Sequence, residues 1–280
     1  MNRRSFIKRG ALWVPPLFAI GRARGQALTL ADPAMVGRTR RTAQTNGLLT
    51  SLSAYWGMNE YSDGSGNVTR EDSHGSADLT DNNSTPSAAG IISNGCDLEL
   101  ANTEYLSSSD NAALSVGSGV SFSFSCWVKL ESKAVSPAYN MIVNKIGAST
   151  TSNEYSLSYR GSVDRFQWSV GRDGDAGTLD SVNADNLGSP STGTWYNVVA
   201  WYDAASDIIG IAANDGTANT AAKTIDPPDG TATFYVGRAS SGQYFDGIID
   251  ETGFWKRALS ASDRTALYNS GSGLAYSSFD

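Results

Sequence analysis

A single histidine and two cysteines occur among 280 residues, and only 18% of residues are charged. One histidine, His74, excludes zinc centres built from several imidazoles. Two cysteines exclude a disulfide-stapled scaffold, and a chain of this length needs none to hold a core. No apolar run reaches the roughly 18–20 residues of a membrane span. Lysine and glutamate are sparse, with six and seven residues, which excludes a coiled coil. What is plentiful is glycine, with 29 residues, together with Ser, Thr, Asn and Asp. That composition describes strands joined by many turns.

Charge is divided unevenly. Nine of the 21 basic residues precede position 42, against one of the 28 acids. The rest of the chain therefore carries 12 basic and 27 acidic residues, a net charge of −15. Such a surface repels phosphate backbones, so nucleic acid is not an expected partner. It suits neutral ligands and divalent cations.

The segment Asn2-Arg3-Arg4-Ser5-Phe6-Ile7-Lys8 resembles a twin-arginine export signal. An apolar stretch from Ala11 to Ile20 follows, too short and too proline-broken to span a bilayer. Small residues at signal-peptidase spacing end it near Ala27. The expected organisation is a signal over 1–27 read through Arg3 and Arg4, a linker or docking arm over 28–50, and one domain over 51–280. Export implies a periplasmic, cell-surface or extracellular protein, with no transmembrane segment in the mature chain. An oxidising compartment permits a bridge between Cys96 and Cys126. Both also fall on the apolar side of strand patterns, where free cysteine serves as a small hydrophobe.

From Ser51 to about Asp250 apolar residues alternate with polar ones, the period of a half-buried strand. Leu52, Ala54, Trp56 and Met58 share one face; so do Phe122, Phe124, Cys126 and Val128. Tyr155, Leu157 and Tyr159, then Phe166, Trp168 and Val170, repeat the pattern. Trp195 to Tyr202 is apolar on both faces, as a strand covered on each side should be. Strands at 208–213, 233–236 and 247–255 complete the set. Asn214-Asp215-Gly216 reads as a tight hairpin. Ser260, with Asp263 three residues on, caps a short helix that stops near Gly271. The predicted fold is all-β, a two-sheet antiparallel sandwich with one short C-terminal helix.

Phe245-Asp246-Gly247-Ile248-Ile249-Asp250-Glu251-Thr252-Gly253-Phe254-Trp255 and the following Arg257-Ala258-Leu259-Ser260 resemble the C-terminal signature of the laminin-G-like, concanavalin A-like jelly rolls. Thr194 to Asp203 resembles the central strand of that family, with Asn197 where His is common. Ala54 to Glu60 and Asp72 to Leu79 resemble its opening strand and first loop. The resemblance spans about 51–276 with every block in order. It implies the jelly-roll form of the sandwich and a structural calcium held by Asp250, with Glu60 and Asp72 as further side chains and carbonyls from Asn94 or Gly95.

Catalysis is disfavoured by the residues. Laminarinase-like relatives carry a Glu-x-Asp-x-(x)-Glu run that aims acid and base into one groove. Here the nearest run, Asp97-Leu98-Glu99, has Gly95 where the first glutamate should stand. Asp250 and Glu251 are adjacent, so strand alternation sends them to opposite faces. His74 lies in a polar loop without the partners a triad requires. Sugar binding would use aromatic rings on an open sheet face. The candidates are Trp168, Trp127, Tyr155 and Tyr159, with Trp201, and the polar partners are Asn144, Lys145, Arg160 and Arg165. The expected function is an exported, non-catalytic carbohydrate-binding or adhesion module with calcium. A structural or decoration protein of a phage particle or surface layer, binding protein neighbours, is the alternative; a glycoside hydrolase is a third.

Overall fold

The structure, a computed structural model, describes residues 47–280 except 136–137, 148–152 and 176. The signal, including Arg3 and Arg4, and residues 28–46 of the linker lie outside the described residues. No helix among the described residues is long and apolar enough to cross a membrane.

Two antiparallel sheets face each other, as the alternation predicts. The first runs in the order β13 (Asn219–Ala222), β12 (Ile208–Ala213), β11 (Trp195–Asp203), β6 (Phe122–Leu130), β15 (Gly247–Trp255), β4 (Asn94–Leu98), β3 (Ser87–Ala89), with β1 (Leu52–Trp56) also paired to β15. The second runs β10 (Leu179–Asn183), β9 (Arg165–Gly171), β8 (Asn153–Arg160), β7 (Tyr139–Ile146), β14 (Phe234–Val236), β5 (Tyr105–Ser108), β2 (Thr80–Asn82). Opening and closing segments of the chain meet where β1 lies on β15, with Trp56 opposite Thr252.

The inward rows fill the space between the sheets. Phe122, Phe124, Tyr155, Trp168, Phe234 and Phe254 are wholly buried there, with the Phe124 and Phe254 centroids 4.7 Å apart. Gly247 opens β15 at φ +139°, and a Cβ there would sit 2.1 Å from the Lys129 carbonyl oxygen, so glycine lets this strand approach β6.

A second apolar layer covers the outer side of the first sheet. Helix α1 (Ala261–Tyr268) packs there, and Tyr55, Trp201, Trp255, Leu259, Leu267 and Phe279 form one cluster. The end of the expected linker is docked as well: the Trp255 indole donates to the Leu48 carbonyl at 2.7 Å, and Arg257 donates to the Thr50 carbonyl at 2.9 Å. The helix starts at the predicted cap. The Ser260 hydroxyl accepts from the Asp263 amide while the Asp263 carboxylate accepts from the Ser260 amide. Ser260→Ala is expected to cost about 1 kcal/mol in urea unfolding; an unchanged midpoint would show that tertiary packing alone fixes this helix.

The hairpin at 214–216 joins β12 to β13. Asn214 and Asp215 both adopt positive φ, and the Gly216 amide donates to the Ala213 carbonyl at 2.9 Å. No bridge joins the cysteines. Strand β15 lies between β4 and β6, with Ile249 opposite both Cys96 and Val128. Two interstrand spacings of about 4.8 Å already exceed the Cα separation a disulfide allows. Both thiols are buried and free, and burial pushes each up to about 12, which makes them inert.

Candidate functional site

The expected sugar-binding aromatics are not at the surface. Trp168 and Tyr155 are wholly buried between the sheets, and Tyr159 is 2% exposed. The Trp168 indole donates to the Trp201 carbonyl at 3.1 Å, the Tyr155 hydroxyl to the Leu114 carbonyl at 2.6 Å, and the Tyr159 hydroxyl to Asp164 at 2.8 Å. Trp127 faces outward from the first sheet, but helix α1 covers it, and its ring stacks on Tyr268 at 5.8 Å. Trp201 lies under the same layer, with the Arg264 guanidinium 4.6 Å from its ring. These rings are packing residues, because each lies on a face that another element covers.

The expected calcium donors do not converge either. Asp72 is consumed by its own loop: Oδ1 accepts from the amides of Tyr55, His74 and Gly75, and Oδ2 from that of Ala77. Asp250 is wholly buried; Oδ2 accepts from the Ile91 and Ile92 amides at 2.8 and 3.1 Å, and Oδ1 from Glu251 at 2.8 Å. Glu60 Oε1 accepts from the Glu71 amide at 2.9 Å, while its Oε2 is buried without a partner among the described residues. Calcium takes six to eight oxygens, and one free oxygen does not make that cage. Chelation with EDTA is therefore expected to leave the melting temperature unchanged; a fall that added calcium reverses would establish an ion bound through other donors.

A bulge explains why Asp250 and Glu251 are both buried on the outer side of the first sheet. The pairing of β15 with β6 slips between Asp250 and Gly253, and Glu251 sits at φ +45°. Strand alternation alone sends the two carboxylates to opposite faces; the bulge buries both, and Glu251 accepts the Tyr55 hydroxyl.

Among the described residues, the acidic trio whose oxygens gather within 4.8 Å is Asp97, Glu99 and Glu131. Burial and mutual repulsion raise Asp97 and Glu131, and Lys129 opposes that rise. His74 stays in its exposed loop, Nδ1 3.1 Å from the Tyr276 hydroxyl.

The outer face of the second sheet lines two cavities, and the side chains at its centre, Asn144, Ser156, Ser158, Gln167 and Ser169, are themselves buried. Register aligns one outward residue from each strand into a continuous row: Thr80, Ser107, Tyr235, Asn144, Ser156, Ser169 and Ser181. A second row holds Met141, Ser158, Gln167 and Asn183. Neighbours along the rows bond laterally, Ser169 to Ser181 at 2.8 Å and Gln167 to Asn183 at 2.8 Å. Two cavities open on this face and share Tyr139. One, about 240 Å³, is floored by Met141, Ser156, Ser158, Gln167 and Ser169 beside Arg160. The other, about 380 Å³, lies between Tyr139 and Tyr244. Beyond it Tyr105 meets Tyr235 edge-on at 5.8 Å.

Small serines floor this surface and half-exposed tyrosines rim it. Flat rings and small hydroxyl-bearing side chains suit the apolar faces and hydroxyls of a sugar. Of the expected polar partners, Asn144 and Arg160 are here. Lys145 points inward and is wholly buried, paired with Glu154 and with Asp110 at 2.8 Å. Arg165 pairs with Asp185 at 3.5 Å. Sequence reasoning missed Tyr105, Tyr139, Tyr235 and Tyr244. The signal for two of them was present: Tyr235 alternates with Phe234 and Val236, and Tyr105 precedes Leu106, so apolar neighbours take the inside.

Sheet order and cover define a concanavalin A-like jelly-roll sandwich. The model of the concanavalin A-like lectin/glucanases superfamily, in its laminin G form, matches residues 100–263. The chain belongs to that family. No curated protein matches it. Among solved structures it is similar to domain 4 of AbnA, a GH43 extracellular arabinanase from Geobacillus stearothermophilus solved with arabinotriose, at 16% identity and TM-score 0.57, over 80% of this chain and 98% of that one. It is also similar to the binding domain of Paraclostridial Mosquitocidal Protein 1, at 12% identity and TM-score 0.63, over 80% of this chain and 53% of that one. The binding domain of botulinum neurotoxin DC in complex with SialylT aligns at 13% identity and TM-score 0.58, over 80% and 52%. The chain thus spans about half the length of the toxin domains. At these identities the likeness is one of fold.

Proposed function

We propose that this chain is an exported, non-catalytic module that binds carbohydrate on the outer face of its second sheet. The observation that carries the reading is the unbroken outward row from Thr80 to Ser181, floored by small polar side chains and flanked by Tyr139, Tyr235 and Tyr244. The arabinanase domain solved with arabinotriose shares the sandwich, which supports a sugar as the ligand class. The non-catalytic part rests on chemistry. Glycoside hydrolysis needs two carboxylates across the scissile bond, and neither cavity on this face is lined by Asp or Glu.

A glycan array probed with the purified chain is expected to give defined hits. Tyr235→Ala is expected to weaken them about tenfold, the loss of one stacked ring, without moving the melting temperature. An array without hits would overturn the reading in favour of a surface that binds protein neighbours. Reducing-sugar release from a bound polysaccharide would overturn its non-catalytic part.

The export part rests on the paired arginines near the start of the sequence. Arg3→Lys combined with Arg4→Lys is expected to hold the protein in the cytoplasm of a bacterial host. Undiminished export, read by fractionation and immunoblotting, would refute a twin-arginine route.

A further inference from the structure

Residues after position 41 carry a net charge of −15, yet the linings of both cavities contain no carboxylate. Two guanidinium groups stand at the rim instead. Arg238 lies 4.6 Å from the ring of Tyr105, 5.4 Å from Tyr235 and 5.5 Å from Tyr244. Arg160 lies 5.7 Å from the ring of Tyr139 and lines the smaller cavity. Tyr139 and Tyr244 both line the larger cavity and Tyr139 also lines the smaller one, so the two cations stand on either side of the larger cavity.

Neither cation is paired with a carboxylate of the described residues. The Nε of Arg238 donates to the Ala239 carbonyl at 3.1 Å, and that of Arg160 to the Ser162 hydroxyl at 2.9 Å. Among the described residues no carboxylate lies within ion-pair distance of either, whereas Arg165, Arg172 and Arg257 each have one. Each guanidinium lies within cation–π distance of a tyrosine ring, and its terminal N–H groups make no hydrogen bond among the described residues. A held, unpaired fork of this kind matches a planar or tetrahedral oxyanion. On a chain with more than twice as many acids as bases after position 41, two such forks beside cavities whose linings hold no carboxylate mark the sign of the ligand.

We propose that this site selects anionic saccharides, with uronate carboxylates or sulfate esters received by Arg238 and Arg160 while the tyrosines stack on the rings between them. This rests on the carbohydrate reading above. The body's own negative charge opposes indiscriminate attraction of polyanions, so binding of one reports the local site.

The test uses the full chain and four probes: polygalacturonate, its fully methyl-esterified form, a neutral galactan and a sulfated galactan, each titrated at low and high salt. The acid form is expected to bind about tenfold tighter than its ester, and more weakly at high salt. Arg238→Gln and Arg160→Gln are each expected to weaken anionic binding about tenfold with an unchanged melting temperature. Tighter binding of the sulfated galactan than of polygalacturonate would support the site and assign its oxyanion to the ester. Equal affinity for acid and ester, together with equal affinity for the sulfated and neutral galactans, would overturn the inference and leave the carbohydrate reading standing. Loss of the native melting transition in Arg238→Gln would leave Arg160→Gln, at the end of β8, to decide. Binding of no glycan at all would remove both.

Discussion

Trp168→Ala is expected to destabilise the fold by about 3–5 kcal/mol, among the largest effects of any single substitution at a residue named above. The indole is wholly buried and central, 6.0 Å from Tyr155 and 5.9 Å from Phe122 between ring centroids. Its N–H spans the sandwich to the Trp201 carbonyl of the opposite sheet. Truncation removes the ring, leaves a cavity that two stiff sheets cannot close, and strips that carbonyl of its donor. Urea unfolding followed by fluorescence would show the midpoint fall. A variant of native stability with impaired sugar binding would instead place Trp168 in the ligand site and overturn its assignment to the core.

Stability is expected to fall by about 4 kcal/mol between pH 6 and pH 8.5, the second large effect. Burial pushes Asp250 up to about 8 and Glu251 up to about 7, and the repulsion between them adds to the rise in Asp250. Three amide hydrogens on Asp250 and the Tyr55 hydroxyl on Glu251 pull the other way, and burial outweighs them. Unfolded, both groups titrate near pH 4. Folding therefore takes up protons above that pH. The stabilisation from this pair is complete below about pH 4 and is lost as pH rises through 7 and 8. Groups of the opposite kind set the acid limit: Asp164 is held at about 2 by Lys133 and Ser189, and Asp226 and Asp263 are also lowered. Their contributions are present above pH 4 and fade as pH falls through their folded values. Maximum stability is expected in mildly acidic solution. Asp250→Asn combined with Glu251→Gln should flatten the alkaline slope, read by urea unfolding across that range. A wild-type curve flat from pH 6 to 8.5 would show that the amide donors hold the pair ionised.

Legibility followed the strength of alternation. Strands β6, β8 and β9 were readable because large apolar residues recur at every second position and the opposing sheet demands them, β11 because it is apolar on both faces, and β15 because its residues resemble a family signature. Strand β7 was not, since the bulge between Met141 and Val143 puts Ile142 and Val143 side by side as apolar residues and breaks the period. Strands β2, β10 and β13 are short and carry mainly small or polar residues at sheet edges, where neither face has a strong preference. Helix α1 was legible from its cap, because Ser260 and Asp263 satisfy backbone donors locally and need no distant partner.

The candidate site was less readable for a related reason. Two-residue alternation assigns Phe122, Trp168 and Tyr235 to faces of their own strands without saying which faces are covered. That depends on what lies across the sheet, and no local rule supplies it. Thus Trp127 points outward yet lies under α1, while Tyr235 points outward into solvent. The bulge at Glu251 is equally non-local, for it forms only when β1 and β6 hold β15 from both sides. From its own residues the chain determined two layers of antiparallel strands, one capped helix and an acidic body, because periodicity, capping and charge act over a few neighbours. Only the folded arrangement decided that tyrosines rather than tryptophans meet the ligand face, that amides take the oxygens of Asp72 and Asp250, and that Arg160 and Arg238 stand on either side of one cavity. Those outcomes are set by burial and sheet register, which join residues far apart in the chain.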